Sequence, residues 1–434
     1  MIEKLVVSPF QKFIKIGSLS GILLFIATMF ALIWANSAFS ETYHQVWDYK
    51  IGINSELFSL EKPLKLWVND GLMAIFFFLI GLEIKRELII GEINTVKKAA
   101  FPLFGAIGGM LVPVTLFVLL NKSPETSHGW GIPVATDIAF SLAILQLIGK
   151  RVPIGLKVFL TAYAIIDDLG AVMIIAVFYS TGIKWILLGI ALFIIAFLLF
   201  LSSKRIYSKY VFGIGAIIVW MLFLKSGIHP TVAGVLMAFT IPIRQKIGDD
   251  TFIKRIPELV SSFSKSKTRE PVLSNEQLHM LDDLERCTNK VQSPLQHLEH
   301  KLNPWVSFLI MPIFALANAG VTFGGGFELD TSLIITIAVA LVAGKFIGVG
   351  SMAFISIKLK IAELPDSVKG KQMVGIAFLA GVGFTMSIFI ANLAYPENRF
   401  LIDSSIVGIL IGSFVSGLAG FLILKLATRK NKDG

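Results

Sequence analysis

The chain has 434 residues, 55% of them hydrophobic and only 16% charged, with a mean hydropathy of +0.77 and a net charge of +10. Soluble domains carry about 25% charged residues, so a single water-soluble domain is excluded and a polytopic membrane protein is expected. One cysteine, Cys287, rules out an internal disulfide. The positive charge reads as a topological bias rather than as a surface for nucleic acid.

Apolar blocks of about 20 residues are long enough to cross a bilayer. They predict twelve spans: 13–35, 66–85, 99–120, 131–148, 153–180, 185–202, 207–224, 228–243, 303–321, 331–356, 372–394 and 403–426. The first follows Lys4, Lys12 and Lys15. It is too long for the apolar core of a signal peptide, so an uncleaved span is preferred over cleavage near Ala35-Asn36-Ser37-Ala38. Residues 41–63 form a loop opposite the termini, with β-prone Tyr43, Val46, Trp47, Tyr49, Ile51 and Ile53 and a turn at Asn54-Ser55, which suggests a small hairpin. The span 228–243 is short and comes after a tight Lys225-Ser226-Gly227 connection.

Residues 244–302 form a long polar loop between 1–243, with the first eight spans, and 303–434, with the last four. Ser274 and Gln277 read as a capping box opening a helix through about Asn289, whereas 245–272 reads as a solvated linker. An even number of spans puts both termini on one side. Most of the 39 Lys and Arg residues fall on that side, and only Lys50, Lys62, Lys65, Lys122, Lys184, Lys225 and Arg399 fall in the opposite loops. The positive-inside rule then places both termini in the cytoplasm.

Five ionisable residues lie well inside spans: Asp70, Asp137, Asp167, Asp168 and Lys345. An acid at the bilayer centre costs roughly 2.5–3.5 kcal/mol on insertion scales, so such residues mark function by default. Asp70 lies nearer an interface, beside Asn69 and Gly71, and reads equally well as an interfacial acid. Asp167, Asp168 and Lys345 share a depth, and buried charges need partners. Adjacent helix positions point about 100° apart. One acid can therefore meet Lys345 while the other faces a water-filled cavity. Carboxylates close together hold protons more tightly, and a nearby ammonium has the opposite effect. Such a cluster can trade a proton for a hard cation such as Na⁺.

Two spans are interrupted, one at Gly131-Ile132-Pro133-Val134-Ala135-Thr136-Asp137 and the other at Gly381-Val382-Gly383-Phe384-Thr385. They fall in the middle of the span triplets 99–180 and 331–426, the sequence pattern of an inverted-repeat transporter. Broken helices leave partly charged ends inside the membrane. Asp137 suits the positive ends and Lys345 the negative ones. Gly105 and Gly109 read as close helix packing. The chain carries no HExxH, no phosphate-binding glycine loop and no Cys/His cluster, so no cofactor is expected.

Several segments, taken in order, resemble the NhaA-type Na⁺/H⁺ antiporter family. They are Asn69-Asp70-Gly71-Leu72-Met73-Ala74, Gly81 through Leu88 (GLEIKREL), Ala135-Thr136-Asp137-Ile138-Ala139-Phe140, Ala164-Ile165-Ile166-Asp167-Asp168-Leu169-Gly170-Ala171, Lys225-Ser226-Gly227-Ile228-His229, Phe314 through Gly320 (FALANAG) and Gly383 through Phe389 (GFTMSIF). NhaA-type transporters are among the proteins on which the inverted-repeat rule rests, so that reading is not independent of the resemblance.

The resemblance implies an all-α fold of twelve transmembrane helices, with two inverted repeats and two crossing, interrupted helices. It implies that Asp167 and Asp168 bind Na⁺ (or Li⁺) and H⁺ in turn, and that Lys345 pairs with Asp167 in the proton-loaded state. Asp137 and Thr136 would sit at the crossing, and Glu83, Arg86, Glu87, Glu299 and His300 in a cytoplasmic pH-response cluster. The 41–63 segment would dimerise the protein in a bacterial inner membrane. The 244–302 loop is longer than the family pattern. The expected activity is electrogenic exchange of cytoplasmic Na⁺ for external H⁺ by alternating access. Two competing readings are an intramembrane aspartyl protease using Asp137 and Asp168, whose Tyr-Asp and Gly-x-Gly-Asp contexts are missing, and a cation channel.

Overall fold

The computed structural model describes residues 2–54, 59–91, 96–180, 182–204, 206–245, 247–266, 272–323, 328–363, 368–396 and 398–428. The chain opens with α1 (Ile2–Ala35), whose apolar length turns through 113° into α2 (Ser40–Asp48). The hairpin expected over 41–63 is confined to β1 (Lys50–Asn54) and β2 (Ser59–Pro63), antiparallel with Lys50 opposite Pro63 and Asn54 opposite Ser59. Ser55 of the expected turn lies outside the described residues. Tyr43, Val46 and Trp47, also β-prone, are helical instead, in α2. Tyr43 and Trp47 are one turn apart and both are buried, and such burial overrides strand propensity.

Next come α3 (Leu64–Trp67), a π-turn over Val68–Leu72, α4 (Met73–Ile90) and α5 (Val96–Leu120). A 3₁₀ segment, Pro124–Val134, leads through extended residues to α6 (Ile138–Ile148) at 47°. There follow α7 (Ile154–Phe178), α8 (Trp185–Ser203), α9 (Lys209–Ser226) and α10 (Pro230–Thr240). Gly227, at a φ of +91°, ends α9 in the left-handed conformation that glycine adopts without penalty.

The polar region is helical: α11 (Asp249–Lys265), α12 (Asn275–Val291) and α13 (Pro294–Trp305). Helix α12 begins on the Ser274–Gln277 capping box. The solvated linker expected over 245–272 gives way to α11, because Phe252, Ile256, Leu259 and Phe263 line up at helical spacing as a half-buried stripe and α11 packs on α12. Cys287 is buried in α12.

A π-turn over Val306–Ile310 joins α13 to α14 (Met311–Asn318). Helix α15 (Thr331–Val339) passes through a π-turn, Ala340–Gly344, into α16 (Lys345–Lys358). Helices α17 (Gly370–Leu379) and α18 (Phe384–Ala394) meet at 41°, and α19 (Arg399–Ala427) closes the chain.

Among the described residues, six helices are long and apolar enough to cross a membrane, and up to nine if each bent pair is one span. Every predicted span falls on helix, but length and composition alone do not yield twelve crossings. The segment 228–243 holds only the 11 residues of α10, α14 is 8 residues long, and α4 ends in the charged run Glu83, Lys85, Arg86 and Glu87.

The two broken segments, Pro124–Val134 with α6 and α17 with α18, are held by what surrounds them. Helix α5 packs along α7 and α16, α4 along α10, α1 on α6 and α14, and α19 on α15 and α17. Helices α5 and α16 approach through Gly108 and Gly348, where a side chain on either would strike the carbonyl of the other.

Candidate ion-binding site

Helix α7 is an apolar rod with three buried polar residues at its centre: Tyr163, Asp167 and Asp168. Tyr163 and Asp167 are four residues apart and share a face, while Asp168 points about 100° away. Lys345 approaches from α16, directly after the π-turn, and is fully buried. A π-turn adds one residue to the helical repeat and so rotates the helix beyond it.

The Lys345 ammonium donates to both oxygens of Asp167 (2.9 and 3.1 Å), to Thr136 Oγ1 (3.0 Å), to Tyr163 OH (3.2 Å) and to the Val134 carbonyl. These acceptors outnumber its three N–H groups. The Val134 carbonyl is at the end of the 3₁₀ segment, so Lys345 meets a negative helix end as well as a carboxylate.

Asp168 is only 1% exposed, and its Oδ1 has no hydrogen-bond partner among the described residues. A buried unpartnered carboxylate oxygen is rare and calls for an explanation.

The two helix breaks meet beside this pair. Thr136 Oγ1 donates to the Ala380 carbonyl (2.8 Å), Ser141 Oγ to Leu379 O (2.9 Å), and Ser387 Oγ to Ile132 O (2.8 Å). Asp137 caps α6 by accepting from Phe140 N (3.0 Å), and its other oxygen accepts from Thr385 N (3.2 Å) and Thr385 Oγ1 (2.5 Å) at the start of α18. One carboxylate thus faces two positive helix ends. Asp137 and Thr136 thus tie the two breaks together by hydrogen bonds, and Thr136 also meets Lys345.

Asp70 lies elsewhere. It pairs with Lys62 of β2 (2.6 Å) and His229 at the start of α10 (3.4 Å). Neither partner is evident from sequence, since nothing in the pattern of spans brings them to Asp70.

Of the other predicted residues, Arg86 binds Glu299 (2.6 Å) and Glu87 (2.8 Å), joining α4 to α13. Glu83 is half-buried within electrostatic reach of Glu299 and Asp168, and His300 is exposed. Burial lifts the Glu299 carboxyl above its ordinary range, with Arg86 pulling the other way. Gly105 and Gly109, read as helix packing, face Tyr163 of α7 and Val349 of α16, and the close backbone approach falls at Gly108. Tyr163 is the site residue that sequence reasoning does not reach, because a lone tyrosine in an apolar run carries no signal beyond core packing.

Among the described residues, no group of three or more His, Cys, Asp or Glu side chains has the arrangement to hold a metal ion.

The family model described as Na⁺/H⁺ antiporter 1 matches residues 11–424. The chain is 45% identical to the Na(+)/H(+) antiporter NhaA of Oleidesulfovibrio alaskensis, across 99% of this chain and 96% of that one. It is 41% identical to Na(+)/H(+) antiporter NhaA 1 of Saccharophagus degradans (99% and 94%) and 40% identical to the NhaA antiporter of Bacteroides thetaiotaomicron (97% and 98%).

Proposed function

The chain belongs to the Na⁺/H⁺ antiporter 1 family as a multi-pass membrane protein, and on that premise we propose that it exchanges cytoplasmic Na⁺ (or Li⁺) for external H⁺ by alternating access. The observation that carries the proposal is a buried ion pair, Asp167–Lys345, next to a second buried acid with an unpartnered oxygen. Both lie where two interrupted helices bring their ends together.

Protons and Na⁺ compete for Asp167 and Asp168. In the proton-loaded state Lys345 holds Asp167. When the site deprotonates toward the cytoplasm, Na⁺ takes the carboxylate oxygens and Lys345 lets go. The two acids titrate as one coupled site. Competition predicts both coupling and activity that rises with pH. If more protons enter than Na⁺ ions leave, the cycle is electrogenic, and each net charge moved inward draws roughly 2.3 kcal/mol per 100 mV of membrane potential.

The reading extends to a bacterial inner membrane, with twelve spans in two inverted repeats (99–180 and 331–426) and both termini cytoplasmic, consistent with the Lys/Arg bias. The cluster of Glu83, Arg86, Glu87, Glu299 and His300 would adjust activity to cytoplasmic pH. The exposed ribbon, with Ile51 and Ile53 turned outward, would join two copies into a homodimer. Asp137 is engaged at the helix ends through both oxygens, which argues against a protease dyad. The closed, lysine-plugged site argues against an open channel.

Everted membrane vesicles test the proposal. Adding Na⁺ should release protons from vesicles carrying the native chain, and Asp168→Asn should abolish that response. Full exchange by Asp168→Asn rules the mechanism out.

A further inference from the structure

The Tyr163 hydroxyl is a site group required neither by charge balance nor by helix termination. It sits at the centre of the lysine's environment, 3.2 Å from Lys345 Nζ, 3.4 Å from Thr136 Oγ1 and 3.5 Å from Asp167 Oδ1. The side chain is fully buried. Its ring packs against α5 beside Gly105 and Gly109, and a Cβ at 109 would meet the hydroxyl at 2.5 Å. The Lys345 ammonium lies 5.7 Å from the ring centroid.

A tyrosine hydroxyl has one proton to donate and lone pairs to accept with. Here it accepts from the ammonium and donates to the carboxylate. The hydroxyl thus bridges the two members of the ion pair in the arrangement that Na⁺ must break. We infer that Tyr163 is a positioning residue that clamps the Lys345–Asp167 ion pair, and so sets the Na⁺ concentration and pH at which sodium displaces the lysine. This rests on the antiport reading above and names a determinant of the same site.

The charged groups facing this cluster come from several elements. Asp168 lies on α7, Lys345 on α16, Asp137 at the start of α6 and Glu83 on α4. His229, at the start of α10, is turned to Asp70. All of these are common to the native chain and to a variant altered only at Tyr163, so a difference between the two reports the hydroxyl.

Tyr163→Phe removes the oxygen and keeps the ring. Without the hydroxyl, Lys345 releases Asp167 more readily, and Na⁺ competes better. In purified full-length protein, proton release on adding NaCl reports this equilibrium without requiring turnover. At a fixed acidic pH, half-saturating Na⁺ should fall roughly tenfold in Tyr163→Phe, the scale of one hydrogen bond to a charged group. At fixed Na⁺, the pH midpoint of release should drop by about one unit, since a tenfold change is one pH unit.

A residue that only packs would alter thermal melting and leave both midpoints in place. Unchanged midpoints in folded Tyr163→Phe, or a shift the other way, overturn the inference. If that variant does not fold, Tyr163→Leu, which also lacks the hydroxyl and adds no bulk to the packed site, must give the same shift. Native protein that releases no protons with Na⁺ refutes the antiport reading and this inference with it. A native response with an unaltered Tyr163→Phe response refutes the inference alone.

Discussion

Asp137 has both carboxylate oxygens occupied by donors from two helices that are remote in sequence. It works as a rivet between the breaks. Truncating a buried partner costs roughly 1–3 kcal/mol for each donor left unsatisfied. Asp137→Ala strands Phe140 N, Thr385 N and the Thr385 hydroxyl, so a loss of about 3 kcal/mol or more is expected. It would register as a lower melting temperature of the detergent-purified protein. Asp137→Asn keeps an acceptor oxygen and should recover part of the loss, and equal melting of Asp137→Ala and the native chain would contradict the rivet role. The intramembrane acids and Lys345 are legible in the sequence because charge in an apolar run is costly wherever it falls. Tyr163 is not, since a phenol is at home in a core and shows its use only when a partner arrives from α16, 182 residues away.

At the scale of elements, the breaks stand out in sequence because glycine and proline interrupt apolar runs at 131–137 and 381–385. The π-turn before Lys345 carries no such mark. Ala340-Leu341-Val342-Ala343-Gly344 reads as ordinary apolar helix, and only packing rotates it. Helix α11 is hidden for the opposite reason, since its charge masks a stripe of apolar residues at helical spacing. The approach of α5 to α16 also emerges only in three dimensions. Gly348→Val would place a side chain against the Gly108 carbonyl, forcing apart the helix that carries Lys345 and its neighbour. Overpacking of this kind costs roughly 1–3 kcal/mol, so both melting temperature and exchange should fall. Gly350 on the same helix has open space where a Cβ would stand. There, Gly350→Ala should melt no lower than the native chain and gain up to about 1 kcal/mol of helix propensity. Equal behaviour of the two variants would show that the glycine contact does not set the helix spacing.

At the scale of the whole molecule, the charged cluster joining α4 to α13 makes stability depend on pH. The Glu299 carboxyl is raised by burial above its ordinary value of 4.5. A carboxyl raised on folding contributes stability that is fully present below the ordinary value and is lost as pH climbs through the raised one. The native protein should therefore melt at progressively lower temperature as pH rises from about 4.5 toward neutrality. In Glu299→Gln, which stays uncharged, that slope should be shallower when melting is followed across buffers of matched ionic strength. An identical slope would mean that Glu299 plays no part in it.

The burial of Cys287 has a practical side. It is the chain's single cysteine and is 3% exposed, so the folded native protein offers thiol reagents almost nothing to label. A cysteine introduced at an exposed position such as Ile53 or Ile253 becomes the reactive one without any change to the background. Fluorophores or spin labels can then follow the β1–β2 hairpin or helix α11 in otherwise native sequence.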